Sequence, residues 1–339
     1  MKTALFIKTK NLGDAVILTS PVTAIRDQYR VHVLCFKDCE SIYTDLPGVD
    51  RVWAVRRGER GWASIVSGFK LFLELKKIRF DLLAQFSDDW RGAILARLLS
   101  VRIRVSHKRS NRIGFWLRSF SHLASITPRR HAVEQDLDLL RRVGLYQGDA
   151  PAYELPNDFK VNPRAEKLLS YLGINAGKFV ILHLFSRWQF KQLSPQVCHE
   201  LIVQLSRDGY QVVVTGDHQD AEKFERLGLT ENLSVKAVFG EPLATFSALI
   251  NASLGVISVD SLAIHLASAN RKPTLAIFGP SGEDNWRPWK TQQVIFEQRS
   301  IYPCRPCGKD GCGGSKVSQC LHTMNAGDIV KAFYKVMSQ

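Results

Sequence analysis

A carboxylate stands at the start of a helical pattern close to the amino terminus. Asp14 ends the segment Asn11-Leu12-Gly13-Asp14, which separates a short apolar run from a helix predicted to begin near Ala15. In a parallel α/β sheet, the loop after a strand lies at the carboxyl edge, where ligands bind. A carboxylate there can accept a proton from a substrate hydroxyl. Asp is also a favoured helix N-cap, so a purely structural role for Asp14 stays open.

A second polar segment, Phe185-Ser186-Arg187-Trp188-Gln189-Phe190-Lys191, follows another apolar run and precedes a helical pattern. The Ser186 hydroxyl can donate a hydrogen bond, and the Lys191 ammonium is a compact positive charge. Together they suit a diphosphate. Cationic side chains in a loop are more often simply solvated, and that alternative stays open.

The most specific pattern is Ser258-Val259-Asp260-Ser261-Leu262-Ala263-Ile264-His265. A predicted strand delivers Asp260 and Ser261 to the start of a helix, where N–H groups and the helix dipole favour anions. His265 follows Ser261 by four residues and so shares its helix face. The alternative is that Asp260 or Ser261 caps the helix and His265 packs in the core.

Four of the seven cysteines fall within 17 residues, at Cys304, Cys307, Cys312 and Cys320. The spacing of the first pair suits structural zinc held by thiolates. Four reduced thiols in a glycine-rich loop are the alternative. No histidine-paired nucleophile is apparent, so we expect no catalytic cysteine.

Two familiar motifs are set aside. No G-x-G-x-x-G follows the first apolar run, which argues against a classical dinucleotide-binding fold. Asp136-Leu137-Asp138 imitates the D-x-D of metal-dependent sugar transferases, but it lies in a helical pattern, in which residues two apart face different directions. We interpret both aspartates as part of a solvated helix face.

The elements that must position these residues alternate between strand and helix patterns. In the first half, the predicted strands cover residues 4–7, 31–36, 51–55 and 82–85. In the second half, the alternation runs from a helix at 164–172 to a strand at 273–278. Such alternation predicts parallel βαβ units.

Proline, glycine and aspartate interrupt this alternation between Leu145 and Pro163, which indicates a domain boundary. We therefore predict two tandem doubly wound, Rossmann-like α/β domains, residues 1–155 and 156–324, with a crevice between the carboxyl ends of their strands. Residues 325–339 are predicted to form a C-terminal helix that could pack back on the N-terminal domain.

Composition indicates the kind of partner. The 339 residues carry a formal net charge of +14, and residues 1–150 hold 26 basic and 15 acidic side chains against 20 and 17 in the rest. The N-terminal half is therefore expected to face something anionic. No run reaches the ~18 apolar residues of a membrane span, and no export signal is recognised. The cysteine content without such a signal favours a reducing compartment.

The segment Asp260–Ala267, with Phe278-Gly279-Pro280-Ser281 and Trp286-Arg287-Pro288-Trp289, resembles the C-terminal signature of glycosyltransferase family 9, the lipopolysaccharide heptosyltransferases. Gly13-Asp14 and Lys191 fall where that family's motifs fall. The tail Cys304–Lys316 most resembles the heptosyltransferase III branch. The resemblance covers essentially the whole chain.

The resemblance implies a GT-B fold, with an ADP-heptose donor held mainly by the C-terminal domain and a lipopolysaccharide inner-core acceptor on the N-terminal domain. It implies that Asp14 is the catalytic base, that Lys191 contacts the donor diphosphate, and that Asp260, Ser261 and His265 belong to the donor-binding signature. Leu262 stands where the family usually has a small residue, so the sugar pocket is expected to differ here.

The implied reaction is an inverting transfer that needs no divalent metal, because Lys191 and the helix starting at Ser261 would meet the charge on the departing ADP. No cofactor is expected beyond the donor. Asp217, after another predicted strand, is a candidate for contact with the donor ribose or heptose, and Ser186 for contact with its phosphates.

For the acceptor side, Arg56, Arg57 and Arg60 follow a predicted strand, and arginines bind phosphates and carboxylates bidentately. The same residues could hold the protein against an anionic membrane. We therefore expect a cytoplasmic enzyme, peripheral at the cytoplasmic face of the inner membrane.

Two alternatives remain open. One is another nucleotide-sugar transferase of the same fold, such as heptosyltransferase I or II. The other is a non-enzymatic, basic polyanion-binding protein. Acidic residues are interspersed with the basic ones, and no nucleic-acid-binding signature is recognised, so no nucleic-acid partner is expected.

Overall fold

The computed structural model describes residues 1–58, 61–109, 114–229 and 234–339. The chain divides into two compact units, Met1–Pro156 and Asn157–Gln339. Each unit is built around its own parallel sheet. The α/β class predicted from the alternating pattern is therefore confirmed.

In the first unit the described strands are β1 (Lys2–Lys8), β2 (Tyr29–Phe36), β3 (Val49–Val55), β4 (Leu82–Gln85), β5 (Ile103–Lys108) and β6 (His122–Ser125). The described α-helices are α1 (Leu12–Ile25), α2 (Glu40–Tyr43), α3 (Gly61–Lys76), α4 (Trp90–Leu98), α5 (Phe115–Ser119) and α6 (Ala132–Arg142). The strand order is β3-β2-β1-β4-β5-β6, so the direction of the connections reverses between β1 and β4.

Strand β1 lies at the centre of the first sheet. Phe6 stands opposite Val33 of β2 and Ala84 of β4, both in parallel register. The run from Ala4 to Ile7 is buried on both faces, which explains why it is continuously apolar and does not alternate.

In the second unit the described strands are β7 (Phe179–His183), β8 (Gln211–Gly216), β9 (Val235–Phe239), β10 (Gly255–Val259), β11 (Thr274–Ile277) and β12 (Gln293–Phe296). The described α-helices are α7 (Pro163–Leu172), α8 (Pro195–Arg207), α9 (Ala221–Glu225), α10 (Leu243–Ala252), α11 (Leu262–Ala269), α12 (Glu283–Trp286), α13 (Gln319–His322) and α14 (Ala326–Met337). The order is β12-β11-β10-β7-β8-β9, with the reversal between β10 and β7.

Local chemistry fixes where the helices of the second unit begin. Asn162 and Ser194 are the N-caps of α7 and α8, and each side chain accepts hydrogen bonds from backbone N–H groups of the first turn. A proline follows each cap, where its missing N–H costs nothing. Gly173 ends α7 with φ +66°, a conformation that favours glycine.

The last helix, α14, differs from its expectation. The sequence suggests that it could pack back on the N-terminal domain, but its apolar stripe lies in the core of the second unit. Ile329, Phe333 and Val336 are buried there together with residues of α8 and β11. The physical reason is that α14 is strongly amphipathic, and its apolar stripe completes this core.

No helix of the described ranges combines the length and the apolar character that crossing a membrane requires.

Candidate active site

Asp14 lies at the carboxyl edge of the first sheet, beside the reversal between β1 and β4. It stands in the first turn of α1, and the N-cap position belongs to Asn11. Asp14 is therefore not the N-cap that the sequence left open. The nearest cation is Lys10, with its Nζ 3.9 Å from Asp14 Oδ1, and the Asp14 side chain is 14% exposed. A partly exposed carboxylate at this edge can reach a substrate hydroxyl.

The loop that carries Lys10 is tied to the loop after β4. Thr9 Oγ1 and Ser87 Oγ share a hydrogen bond of 3.0 Å, and the Thr9 hydroxyl donates to Asp89 Oδ2 across 3.3 Å. These bonds join the two loops at the point where the strand order reverses. They hold in place the segment that leads into Asp14.

A buried ion pair lies beneath this edge. Lys8, the last residue of β1, donates to Asp136 Oδ2 across 2.5 Å, and both side chains are almost fully buried. Burial raises the pKa of the Asp136 carboxyl, while the Lys8 ammonium opposes that rise. The interpretation of Asp136 as a solvated residue is therefore wrong. Val133 and Leu140, three before and four after it on α6, are both buried, and this spacing was the signal that Asp136 faces inward.

Asp138, two residues further along α6, fits the solvated interpretation better. It accepts hydrogen bonds from Arg130 and Arg141, both at 3.0 Å, at the partly exposed side of the helix. The two aspartates of this apparent D-x-D therefore point to different environments.

The same edge contains a neutral imidazole among cations. His107 of β5 is buried, and its Nδ1 has no hydrogen-bond partner among the described residues. Burial, reinforced by Arg109, Lys8 and Lys10, lowers the pKa of His107 to about 3. Burial and Lys8 also lower the pKa of Lys10, against the opposing effect of Asp14. Lys8 is already paired with Asp136, so Lys10 and Arg109 are the cations that this group adds near the edge.

The three arginines predicted for the acceptor have different surroundings. Arg57 stacks on Phe36 at 4.0 Å and donates to Asp38 Oδ2 (3.1 Å) and to the carbonyl oxygen of Lys10 (2.7 Å). Arg56 is exposed, and Arg60 lies outside the described residues. Arg57 thus supports the loop that precedes Asp14, a role that its place after β3 did not reveal.

In the second unit, Lys191 and Asp260 meet at the carboxyl edge of the sheet. Lys191 follows β7 and Asp260 follows β10, the two strands at the reversal. The Lys191 Nζ donates to Asp260 Oδ2 across 2.5 Å, with the lysine side chain 22% exposed. Two residues that the sequence placed in separate motifs are thus brought together, and the ammonium remains partly open to solvent.

Ser261 is the N-cap of α11 and accepts a hydrogen bond from the N–H of Ala263 at 3.2 Å. Its hydroxyl also shares a 3.0 Å hydrogen bond with Ser258. His265 is buried within α11, and Leu262 is half-buried at the start of the helix. Ser261 therefore caps the helix and His265 packs in the core, as the structural alternative predicted. The amino end of α11 still presents its dipole to an anion at this edge.

Ser186 and Asp217 occupy the neighbouring loops after β7 and β8. The Ser186 hydroxyl accepts from the N–H of Trp188 at 3.3 Å. Asp217 is exposed and caps a short turn, where its Oδ1 accepts from the N–H of His218 at 2.7 Å. In each case the side chain orders its own loop, at the edge where Lys191 and Asp260 meet.

Sequence reasoning missed a polar pair at this edge. His183 ends β7 and its Nδ1 is hydrogen-bonded to Thr215 Oγ1 of β8 at 3.0 Å, while its ring packs on Phe246 at 5.2 Å between centroids. Burial lowers the pKa of His183 to about 4. The signal was a histidine closing an otherwise apolar strand.

A second missed feature is a buried arginine under the loop after β11. The Arg305 Nε donates to the carbonyl oxygen of Gly279 at 2.6 Å, and its guanidinium pairs with Glu297. Gly279 has no room for a side chain, because a Cβ there would meet Leu321 at 2.4 Å. The Phe278–Ser281 motif is therefore held by close packing and by one buried guanidinium.

The four C-terminal cysteines are not gathered as a zinc ligand set. Cys304, Cys307 and Cys312 are exposed, whereas Cys320 is buried in the core of the second unit, where burial raises the pKa of its thiol to about 11. In the parts of the chain that the structure covers, no three His, Cys, Asp or Glu side chains are placed to hold a metal ion. The fourth cysteine packs as an apolar residue, because α13 turns it inward beside Leu321.

The sequence is similar to known proteins. The model of glycosyltransferase family 9 (heptosyltransferase) matches residues 68–317. Lipopolysaccharide heptosyltransferase 3 of Escherichia coli strain K12 is 28% identical over 344 residues, which covers 96% of this chain and 96% of that protein.

Solved structures share the fold. The glycosyl transferase family 9 structure from Veillonella parvula DSM 2008 has a TM-score of 0.84 at 16% identity, covering 99% of this chain and 97% of its own. E. coli heptosyltransferase WaaC, solved with ADP-2-deoxy-2-fluoro heptose, has a TM-score of 0.72 at 18% identity, covering 98% and 99%. At these identities the likeness concerns the fold, and it agrees with the predicted GT-B class.

The family match spans well over half of the chain and includes Lys191, Asp260 and the Phe278–Ser281 loop. The chain therefore belongs to glycosyltransferase family 9, the heptosyltransferase family, and is a glycosyltransferase.

Proposed function

We propose that this enzyme transfers a heptose from ADP-heptose to the inner core of lipopolysaccharide, as a heptosyltransferase III-like enzyme. The observation that carries the proposal is the similarity to lipopolysaccharide heptosyltransferase 3 along nearly the full length of both chains. The structure of WaaC with ADP-2-deoxy-2-fluoro heptose supports the choice of donor. Heptosyltransferase I or II chemistry is the alternative within the family.

In this proposal Asp14 is the general base. It would accept the proton of an acceptor hydroxyl while that oxygen attacks the anomeric carbon from the face opposite to ADP, which inverts the configuration. Three features support the assignment: Asp14 lies at the carboxyl edge, it is partly exposed, and another residue occupies the N-cap. A single displacement needs no covalent intermediate on the enzyme.

Lys191 and the amino end of α11 would stabilise the departing diphosphate. The Lys191 ammonium, in the loop after β7, is already held at the sheet edge by Asp260. Helix α11 begins at the end of β10, the strand beside β7. A fixed ammonium and a helix dipole together meet the charge that develops on ADP. We therefore propose that transfer requires no divalent metal, with Ser186, Asp217, Leu262 and His265 bordering the donor.

The acceptor would bind on the basic first domain. Lys10 and Arg109 near Asp14, with the exposed Arg56, offer cations for the phosphates and carboxylates of the inner core. Because that acceptor is anchored in lipid, the enzyme would work in peripheral contact with the cytoplasmic face of the inner membrane.

The test is acceptor-dependent release of ADP from ADP-heptose, measured with truncated core lipopolysaccharide in the presence of EDTA. Wild-type release should persist in EDTA, and Asp14→Asn should lower kcat by about 10²- to 10⁴-fold. Asp27→Asn, which removes an exposed carboxylate of the same domain, is the matched control for a general charge effect.

Three outcomes would contradict parts of the proposal. Full activity of Asp14→Asn would remove Asp14 as the base. Loss of wild-type release in EDTA would overturn metal independence. Absence of ADP release with every core acceptor tested would overturn the assignment of donor or acceptor.

A further inference from the structure

The first domain exposes large apolar side chains along one layer of helices. Seven of the thirteen exposed large hydrophobic side chains in the described residues lie on α3, α4 and α5, each between 40% and 59% exposed. We call this surface the apolar–basic face, and its apolar members are Val66, Phe69, Leu73, Trp90, Ile94, Leu98 and Phe115. A soluble surface ordinarily scatters such residues singly.

The spacing of these residues places the exposed apolar side chains on one side of each helix. On α4, Trp90, Ile94 and Leu98 follow one another at four-residue intervals, so they form a single stripe along the helix. On α3, Val66, Phe69 and Leu73 repeat at intervals of three and four. Each helix therefore presents a second apolar stripe in addition to the one that packs inward.

The inward stripes belong to one core. Leu75 of α3, Leu95 of α4 and Trp116 of α5 are all buried in the same cluster beneath the helices. The three helices thus form one layer, and the outer stripes are not needed to close the core. Trp90 and Phe115 link α4 to α5, with their ring centroids 5.9 Å apart.

Positive charges accompany the apolar stripes. Residues 66–77, 90–98 and 115–119 contain six cations and a single carboxylate. Glu74 pairs with Lys77, whose Nζ lies 2.5 Å away, and Asp89, the N-cap of α4, pairs with Arg91 at 3.0 Å. The Arg97 guanidinium lies 5.1 Å from the Phe115 ring centroid. The cations are Lys70, Lys76, Lys77, Arg91, Arg97 and Arg118.

We propose that the apolar–basic face docks on an anionic lipid bilayer, with its apolar side chains inserted at the headgroup level and its cations paired with lipid phosphates. Apolar stripes flanked by Lys and Arg, with Trp at the boundary, are the pattern of helices that lie in a membrane interface. The inference refines the membrane contact of the proposed function, and it rests on that function only for its biological purpose.

Charge distinguishes this occupant from a second copy of the chain. A symmetric dimer would place the same surface against itself and so bring like charges together, because within the described residues only Lys77 and Arg91 of the six cations pair with a carboxylate. Unpaired like charges in a contact oppose association. A bilayer that contains anionic lipids offers the opposite charge and an apolar interior at once, and each Lys or Arg near such a surface contributes about 1 kcal/mol, or about fivefold in partitioning.

The experiment measures binding of the full chain to vesicles of phosphatidylethanolamine and phosphatidylglycerol, and to vesicles of phosphatidylcholine alone, by flotation. Wild type should bind the anionic vesicles, more weakly as salt is raised. Phe69→Ser/Leu98→Ser should reduce binding at least about tenfold, because two large apolar side chains no longer insert. Lys70→Gln/Arg97→Gln should reduce binding to a similar extent and flatten its salt dependence.

Matched controls come from the second domain. Tyr171→Ser/Ile301→Ser removes two exposed apolar side chains, and Lys178→Gln/Lys331→Gln removes two lysines from outside the face. Both should bind like wild type. All variants change exposed positions, and circular dichroism with thermal unfolding will verify that they remain folded.

Insertion has its own readout. Brominated phosphatidylglycerol should quench tryptophan fluorescence in wild type, and this quenching should fall in Trp90→Phe. The inference is wrong if wild type does not bind anionic vesicles, or if the face variants bind as well as the controls. It is equally wrong if wild type is a dimer that the face variants dissociate without a change in vesicle binding.

The two proposals fail separately. Vesicle binding that depends on the face, with no heptose transfer, would overturn the proposed reaction and leave the docking surface intact. Heptose transfer with vesicle binding unaffected by the face variants would overturn only the docking surface.

Discussion

Lys8 and Asp136 form an ion pair inside the first domain, with the lysine Nζ 2.5 Å from the carboxylate Oδ2 and the two side chains 3% and 7% exposed. The pair joins the end of the central strand β1 to α6. It therefore fixes the position at which β1 ends and the loop that leads to Asp14 begins.

Asp136→Ala should lower the free energy of unfolding by about 3–5 kcal/mol, because it leaves the Lys8 ammonium buried without its carboxylate. Urea denaturation measures the change. Asp138→Ala, two residues along the same helix, is the control and should cost about 1 kcal/mol or less. The double variant Lys8→Met/Asp136→Leu should recover most of the loss, and a double variant as unstable as Asp136→Ala would show that the pair's charge is not the cause.

His107 should make the protein less stable in acid. Its pKa is lowered in the folded state to about 3, whereas the unfolded chain has an ordinary histidine pKa of about 6.5. The unfolded state therefore binds a proton first as the pH falls. His107 contributes fully above pH ~6.5, and that contribution decreases by about 1.4 kcal/mol per pH unit between ~6.5 and ~3.

Urea midpoints at a series of pH values between 7 and about 5 measure this dependence, since most carboxylates stay ionised there. His107→Asn should flatten the slope relative to wild type even if it lowers stability at every pH. His199→Asn is the comparison, because His199 is a helix residue of the other domain. Equal slopes in wild type and His107→Asn would contradict the prediction.

Lys191→Met should weaken ADP binding by about 10- to 100-fold, because it removes a charge-assisted hydrogen bond to a phosphate. Isothermal titration with ADP measures it directly and needs no acceptor. Lys178→Met removes an exposed lysine of the same domain and should leave affinity unchanged. If both variants bind ADP alike, the ammonium held by Asp260 does not meet the diphosphate.

Arg57 and Arg56 should behave differently although they are adjacent. Arg57 donates to the Lys10 carbonyl oxygen, so Arg57→Ala should loosen the segment before Asp14 and lower kcat. Arg56 is exposed, so Arg56→Ala should raise the acceptor KM with little effect on kcat. Steady-state kinetics with varied acceptor separates the two effects, and equal kcat values in both variants would contradict the supporting role of Arg57.

The central strands were predictable from the sequence because they are buried on both faces. The expected strand over 4–7 lies inside β1, and the one over 82–85 coincides with β4. The strands β5, β6 and β12 were not predicted. Arginine and histidine interrupt β5, and β6 and β12 are four-residue strands at sheet edges, too short to show a pattern.

The position of Lys191 and Asp260 at the carboxyl edge was predictable, because each motif follows a predicted strand. What could not be read from the sequence is pairing at long separation. Lys8 and Asp136 are 128 residues apart, and the partner of a buried charge depends on how α6 packs. The sequence did not indicate that Arg57 donates a hydrogen bond to a main-chain carbonyl oxygen. Every residue carries such a carbonyl, so the residue types around Arg57 show no pattern.

The packing of α14 has a consequence for synthesis of the chain. The second core contains Ile329, Phe333 and Val336 of α14 as well as residues of β7, so its first strand and its last helix are made far apart in time. The first domain is a compact unit with a core cluster of its own and can fold while translation continues. The core of the second domain is complete only once α14 has left the ribosome.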